Sequence, residues 1–447
     1  MISQEIREFR YANGDLQKVQ VVRFDSFSEM DFLRPDYDPE GFDRLASLYE
    51  DFIIKRYAFV FGNLILFRLP EGYPVKPVMG DPEYGDVYDP LISAAIALER
   101  AVKCRKGKLV ISDPETQAMF EDLRGRGCLR AVKGKWNTVR MLPVSDRFGF
   151  LSRSMADARL KVNSSFFIMD GFDCASRYDS IGTPFGLCVK DGRILSPPLF
   201  FRQVFRVSEN GETGITGADL TQLTVRIGDR TFRHGENCRI FQRPLMRRTP
   251  AGGYDTVICG DRVTASRKGG GTQIPSSGFV IRTDGPVPDA GGLPVTYEGM
   301  PGTAFAVQCG NSAVIDGKRT DGFISPFFDF RRPFSPSYPP TFYPLDYRKA
   351  RAPRIVLGAD KDGKPMLLWF EGAGKFGYRP GTDSCGASLA EAADICCRLG
   401  MYNGVHLDGG GSAQILLDGK KSLMVSDRDA EKFLEVERAV PAGLVIM

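Results

Sequence analysis

VHLDGGGSAQILLDGKK, residues 405–421, runs from an apolar stretch through three consecutive glycines into a second apolar stretch and an Asp-Gly turn. Val405 to Asp408 reads as one strand and Ile415 to Leu417 as the next. Glycine weakens a strand, so a triplet between two strands needs a reason, and close approach of backbone to a ligand is one. N–H groups in such a turn can also form an anion-binding concavity. A wide bulge or plain hairpin is the structural alternative. Asp418-Gly419 tolerates the positive φ angles of a tight type I′ turn.

Working outward, Asp-Gly recurs between short β-type runs at Asp191-Gly192, Asp316-Gly317 and Asp362-Gly363. These hairpins predict an antiparallel-rich sheet system from about Arg159 onward. One late helix is predicted within Ser388–Gly400, with Ser388 and Glu391 as a capping box and Gly400 as terminator. Its apolar face is Leu389, Ala392, Ala393, Cys396 and Leu399, which makes Cys396 and Cys397 core packing rather than metal ligands. Phe323–Tyr347 is too rich in Pro for a regular helix and reads as an ordered loop.

The first 150 residues have another texture. Helical spacing appears in Phe42–Arg56 and Ile92–Lys106. Asp113 and Pro114 suit the start of a further helix, and Gly125 and Gly127 its end. A strand pair is expected around Gly62-Asn63. Division into 1–150 and 151–447 follows, with the first part an accessory α/β domain. The whole is expected to be α+β: a mixed, largely antiparallel sheet domain with packed helices, preceded by the smaller α/β domain.

Composition narrows the function. The net charge of +4 is too small for a dedicated nucleic-acid binder. The longest apolar stretch, Tyr57 to Phe67, falls short of the roughly 20 residues a membrane helix needs. Residues 1–20 lack an apolar signal core, which on sequence places the protein in the cytoplasm unless it was cut from a precursor. Ten scattered cysteines without a C-x-x-C read as reduced, mostly buried thiols. Gly372-Ala-Gly374-Lys-Phe-Gly377 is a G-x-G-x-x-G after a strand, but no helix opens there, so a flexible or substrate-covering loop is preferred to a dinucleotide site. Two histidines exclude a zinc hydrolase built on several of them; His406 and Asp408, two apart, would be a weak metal pair. No cofactor is expected.

The ordered motifs resemble a family. His406-Leu-Asp-Gly-Gly-Gly-Ser412 resembles the signature of the phosphodiester glycosidase domain. Asn163-Ser-Ser-Phe166-Phe167, Gly186 to Gly192, Ile274-Pro-Ser-Ser-Gly278-Phe-Val, Pro353-Arg354-Ile-Val-Leu-Gly358, the Ser388 helix and Glu437-Arg438-Ala-Val-Pro follow in the family's order. The resemblance spans roughly Arg159 to Met447. It implies hydrolysis of a sugar 1-phosphodiester, such as one of N-acetylglucosamine, to free sugar and phosphomonoester. It also implies a mostly secreted or lumenal setting.

That chemistry needs an anion cradle and a carboxylate for oxocarbenium charge or water activation. The acid demand on the leaving group is light, because a phosphomonoester leaves as a stable anion. Asp408 is the first carboxylate, Glu371 the second, and Arg354 the cation for the diester. Asn163, Phe166, Gly409, Gly410, Gly411, Ser412 and Asp383 are the expected substrate contacts. The expected partner is a sugar-phosphate or glycopolymer substrate, with no nucleic acid and no membrane span. A non-catalytic glycopolymer-binding module and a phosphodiesterase cutting the P–O bond are the alternatives.

Overall fold

A computed structural model describes residues 1–36, 64–67, 103–105, 108–111, 114–132, 139–141, 148–169, 176, 178–179, 182–243, 245–320, 349–372, 379–427 and 434–447. Antiparallel sheets dominate it. The central sheet has seven strands in the order Ser3–Arg10, Leu16–Arg23, Pro365–Phe370, Arg354–Asp360, Met401–His406, Ser312–Ile315, Lys318–Arg319. A second sheet of five orders Lys420–Lys421, Ile415–Leu417, Leu160–Asn163, Gly443–Ile446 and Met30–Leu33. Further sheets of five, three and four strands occupy residues 188–307.

Side-chain alternation explains the layering, because successive residues of a strand face opposite sides. Val19, Val21, Val356, Leu368 and Phe370 face the helix Leu389–Arg398 and pack on Ala392, Ala393 and Cys396. Val22, Ile355, Leu357, Leu367, Trp369 and Val405 face the other way into the main core. Small Ala residues let the helix lie close to the sheet. Its N-terminus carries the reciprocal capping box of Ser388 and Glu391.

The expected α+β class is corrected. Among the described residues only two α-helices occur, Pro114–Gly125 and Leu389–Arg398, and the chain is mostly β. Lys103–Arg105, the end of one expected helix, is instead a strand paired with Lys108–Val110. Among the described residues of 64–141, Leu129–Val132, Leu64–Phe67 and Val139–Met141 form a small mixed sheet beside the helix Pro114–Gly125, whereas the first 33 residues join the main sheets. Leu16–Arg23 lies beside Pro365–Phe370, with Val19 opposite Phe370, and Met30–Leu33 pairs with Gly443–Ile446. The physical reason is that an apolar run reads alike as helix or strand until its distant partner is known. The expected helix at 42–56, the turn at 62–63 and the loop at 323–347 lie outside the described residues.

Three of the four Asp-Gly pairs have positive φ at both residues, the I′ signature: 191–192, 316–317 and 418–419. At Asp362-Gly363 only the glycine does. There the Asp360 carboxylate accepts from the N–H groups of Asp362 and Lys364, which favours a longer turn. The described cysteines are free thiols, most of them buried.

Candidate active site

The glycine triplet is the crossover between the two main sheets. Strand Met401–His406 runs beside Arg354–Asp360, and the Leu407 N–H continues the ladder to the Ile355 carbonyl. The next residue changes sheets: the Asp408 N–H donates to the Ser164 carbonyl at 2.9 Å. After the turn, Ile415–Leu417 pairs with Leu160–Asn163. Asn163 closes the loop from beneath. Its amide donates to the Asp408 carbonyl at 2.6 Å and accepts from the Gln414 N–H at 3.0 Å.

Each glycine answers a different demand. A Cβ at Gly409 would stand 2.7 Å from the Pro353 carbonyl oxygen. Gly410 has φ of +61°, where a side chain is strained. A Cβ at Gly411 would collide with the Arg438 guanidinium and the Asp427 carboxylate. The triplet therefore presses the backbone onto Pro353 on one side and onto an ion pair on the other. Gly410–Ser412 form one 3₁₀ turn, which turns Ser412 back toward Asp408.

Asp408 is half-buried at the end of the sheet. Desolvation pushes its carboxyl up to about 7, against the Ser412 hydroxyl, the Arg438 charge and the Gly409 N–H, which all favour the ionised form. Arg438 donates through Nε and Nη2 to Asp427, at 3.0 and 3.2 Å, and through Nη1 to Ser412 Oγ at 3.4 Å. A polar chain thus runs Asp427–Arg438–Ser412–Asp408. Neither Arg438 nor Asp427 is among the residues that the sequence alone singles out for the site. The closing Glu437-Arg438 segment is the signal that could have found the arginine, since the resemblance includes it.

Residues 260–447 match the family model of the phosphodiester glycosidases. The resemblance predicted from the motifs is thereby found over that segment. It holds Arg354, Glu371, Asp383, the glycine turn, Asp427 and Arg438, whereas Asn163 and Phe166 precede it. No curated protein matches the chain. Among solved structures, a hypothetical protein from Synechocystis aligns over the whole of this chain and 62% of its own, at 15% identity and a TM-score of 0.41. A protein from Burkholderia pseudomallei described as a candidate exported protein aligns over 100% of this chain and 96% of its own, at 16% identity and 0.41. The catalytic domain of zebrafish N-acetylglucosamine-1-phosphodiester alpha-N-acetylglucosaminidase, auto-inhibited by its pro-peptide, aligns over 100% and 82%, at 10% and 0.40.

Within the matched segment the other expected residues gather at the same sheet end. Arg354 opens the strand between those that lead to Glu371 and Asp408. Its buried guanidinium donates to the carbonyls of Ala387 and Ala350, both at 3.0 Å. Glu371 is buried and accepts the Met424 N–H at 3.0 Å, which ties down the strap that leads to Asp427. Asp383 lies further along the edge, held below the usual carboxylate range by hydrogen bonds from Arg379. Phe166 lies in the main core under the Arg202 guanidinium, 5.7 Å from its ring centre.

His406, at the strand end before Asp408, is buried against Gly310. Among the described residues no three His, Cys, Asp or Glu side chains cluster to hold a metal. Of the G-x-G-x-x-G motif only Gly372 is described, bridged to Cys385. Among the described residues no helix is long and apolar enough to cross a membrane.

Proposed function

We propose that the chain hydrolyses the glycosidic bond of a sugar 1-phosphodiester, with Asp408 as general base. The observation that carries this reading is a half-buried carboxyl, poised at about 7, on a glycine turn inside the matched segment. A base with that value is substantially ionised at neutral pH yet keeps a strong affinity for a proton. Asp408 removes a proton from water as its oxygen bonds to the anomeric carbon. The bond from that carbon to the phosphate oxygen breaks, and its electron pair leaves with the phosphomonoester.

Ser412 and Arg438 orient the Asp408 carboxylate, and the Arg438 charge offsets the anions gathered there. Glu371 fixes the strap beside them as the second carboxylate. Arg354, engaged with two carbonyls, supports the turn through Pro353 and contributes a positive field to the diester. Asn163 holds both ends of the loop. N-acetylglucosamine is the first sugar to try, because the motif resemblance points there.

The test is hydrolysis of a synthetic N-acetylglucosamine 1-phosphodiester by the wild type and by Asp408→Asn, with both products identified. Free sugar from the wild type and a loss of about 10²- to 10⁴-fold in the variant are expected, the usual range for a general base. Sugar 1-phosphate as product would show P–O cleavage and overturn the reading. So would equal rates in the two proteins.

A further inference from the structure

Positive charge gathers in more than one stretch of the chain, and residues 239–284 are one of them. Residues 239–284 contain eight Arg and Lys against three Asp, a net +5, whereas the whole chain carries only +4. This segment holds the four-stranded sheet ordered Arg239–Gln242, Gly278–Thr283, Ala251–Cys259, Arg262–Gly270. Pairing register places four charged residues in one row across it. Arg239 stands opposite Arg282, Arg282 opposite Asp255, and Asp255 opposite Arg267.

The row has a neutral centre and two charged ends. Asp255 is fully buried and takes both Nε and Nη2 of Arg282, at 2.7 and 2.9 Å, plus the Thr249 hydroxyl. Arg239 and Arg267 are exposed, and neither has an ion pair among the described residues. Three inter-strand steps separate them, about 14 Å. Exposed Arg247 and Arg248 stand at the glycine-rich end of the same hairpin.

We propose that the exposed arginines on the two edge strands of this sheet form a secondary binding surface for an anionic glycopolymer with phosphodiester links in its backbone. The choice of polymer rests on the function proposed above; the charge row does not. Two cations flanking a rigid, self-neutralised pair suit charges repeated along a chain, and each phosphate they neutralise releases a counterion. A single-stranded nucleic acid would be held also by stacking on open aromatic faces. Here Arg282 covers the Phe241 ring at 5.3 Å and Lys268 the Tyr254 ring at 5.7 Å.

The experiment measures equilibrium binding of a poly(N-acetylglucosamine 1-phosphate) chain, and of a single-stranded DNA of about 20 nucleotides, over a salt series. Arg239→Ala/Arg267→Ala is expected to weaken polymer binding about tenfold and to make the salt slope shallower by about 1 to 2. Its hydrolysis of the small diester should stay within twofold. Arg239→Lys/Arg267→Lys, which keeps both charges, should restore most of the binding. Unchanged polymer affinity in the alanine pair overturns the proposal, and so does tighter binding of the DNA than of the polymer. Polymer binding by a wild type that hydrolyses no small diester would overturn the function while upholding the surface.

Discussion

Asp408 is the residue at which chemistry and stability oppose one another. An unfolded aspartate gives up its proton near 3.9, whereas this one keeps it to about 7 in the folded protein. Between those values the folded state binds more protons than the unfolded state. The stabilisation from this group is therefore complete below about pH 4 and is lost as pH rises through about 7. Asp408→Asn removes the buried charge, so at about pH 8 it should be more stable than wild type by on the order of 2 kcal/mol. At about pH 4 or below, where Asp408 is protonated in the folded state and largely so in the unfolded state, the two should melt alike. Urea denaturation at both pH values checks this, and a variant less stable than wild type at the higher pH would refute it. In the wild type, log kcat/KM should rise with unit slope up to about pH 7 and then level, because the ionised form is the base. Asp408 was legible because a carboxylate directly before three glycines is a local pattern, complete within four consecutive residues. Arg438 stood in the closing motif without a role, since its link to Asp408 passes through Ser412 and the fold. Arg354 was read as the cation for the diester; that the carbonyls of Ala350 and Ala387 would surround it depends on the fold and could not be read from sequence.

At the scale of elements, the glycine turn is a joint between two sheets, clasped by Asn163 below and braced by Arg438–Asp427 beside it. Gly411→Ala inserts a methyl where the ion pair lies. Overpacking of this kind costs about 1–3 kcal/mol. It should also move Ser412 and so alter the pH profile, a change that simple destabilisation would not produce. Asn163→Ala leaves the Gln414 N–H and the Asp408 carbonyl without their partner. A loss of about 2–4 kcal/mol is expected from two buried backbone groups, read by thermal melting. A melt within about 0.5 kcal/mol of wild type would show that the clasp is dispensable. Short-range features such as the I′ turns and the capping box could be read from sequence, because each is decided within four residues. The strand partners could not, and with them went the fold class.

At the scale of the molecule, the first 33 residues pack with the last hundred. Val19 and Val21 fill the layer under the helix Leu389–Arg398, and Val22 enters the main core. Burial of each such side chain contributes about 1.5–3 kcal/mol. Three of them amount to roughly 6 kcal/mol, before the ladder from Val19 to Arg23 is considered. Gln17 adds a buried link, donating to the carbonyls of Glu371 and Lys18 at 2.8 Å and to Ser384 Oγ at 3.1 Å. Net stability of a domain is only about 5–15 kcal/mol. A chain that starts at residue 151, the boundary suggested by composition, should therefore lose cooperative unfolding. It would also expose the edge of Pro365–Phe370, a six-residue apolar strand whose open backbone groups invite aggregation. Far-UV circular dichroism through a urea gradient, with sizing of the same sample, measures both effects. A sharp transition and a monomeric peak would mean that the central sheet stands without its first two strands. Adding back a peptide of residues 1–33 tests the cause: recovery of the transition would assign the loss to the missing strands, because that peptide supplies the ladder opposite Phe370 and nothing of residues 34–150.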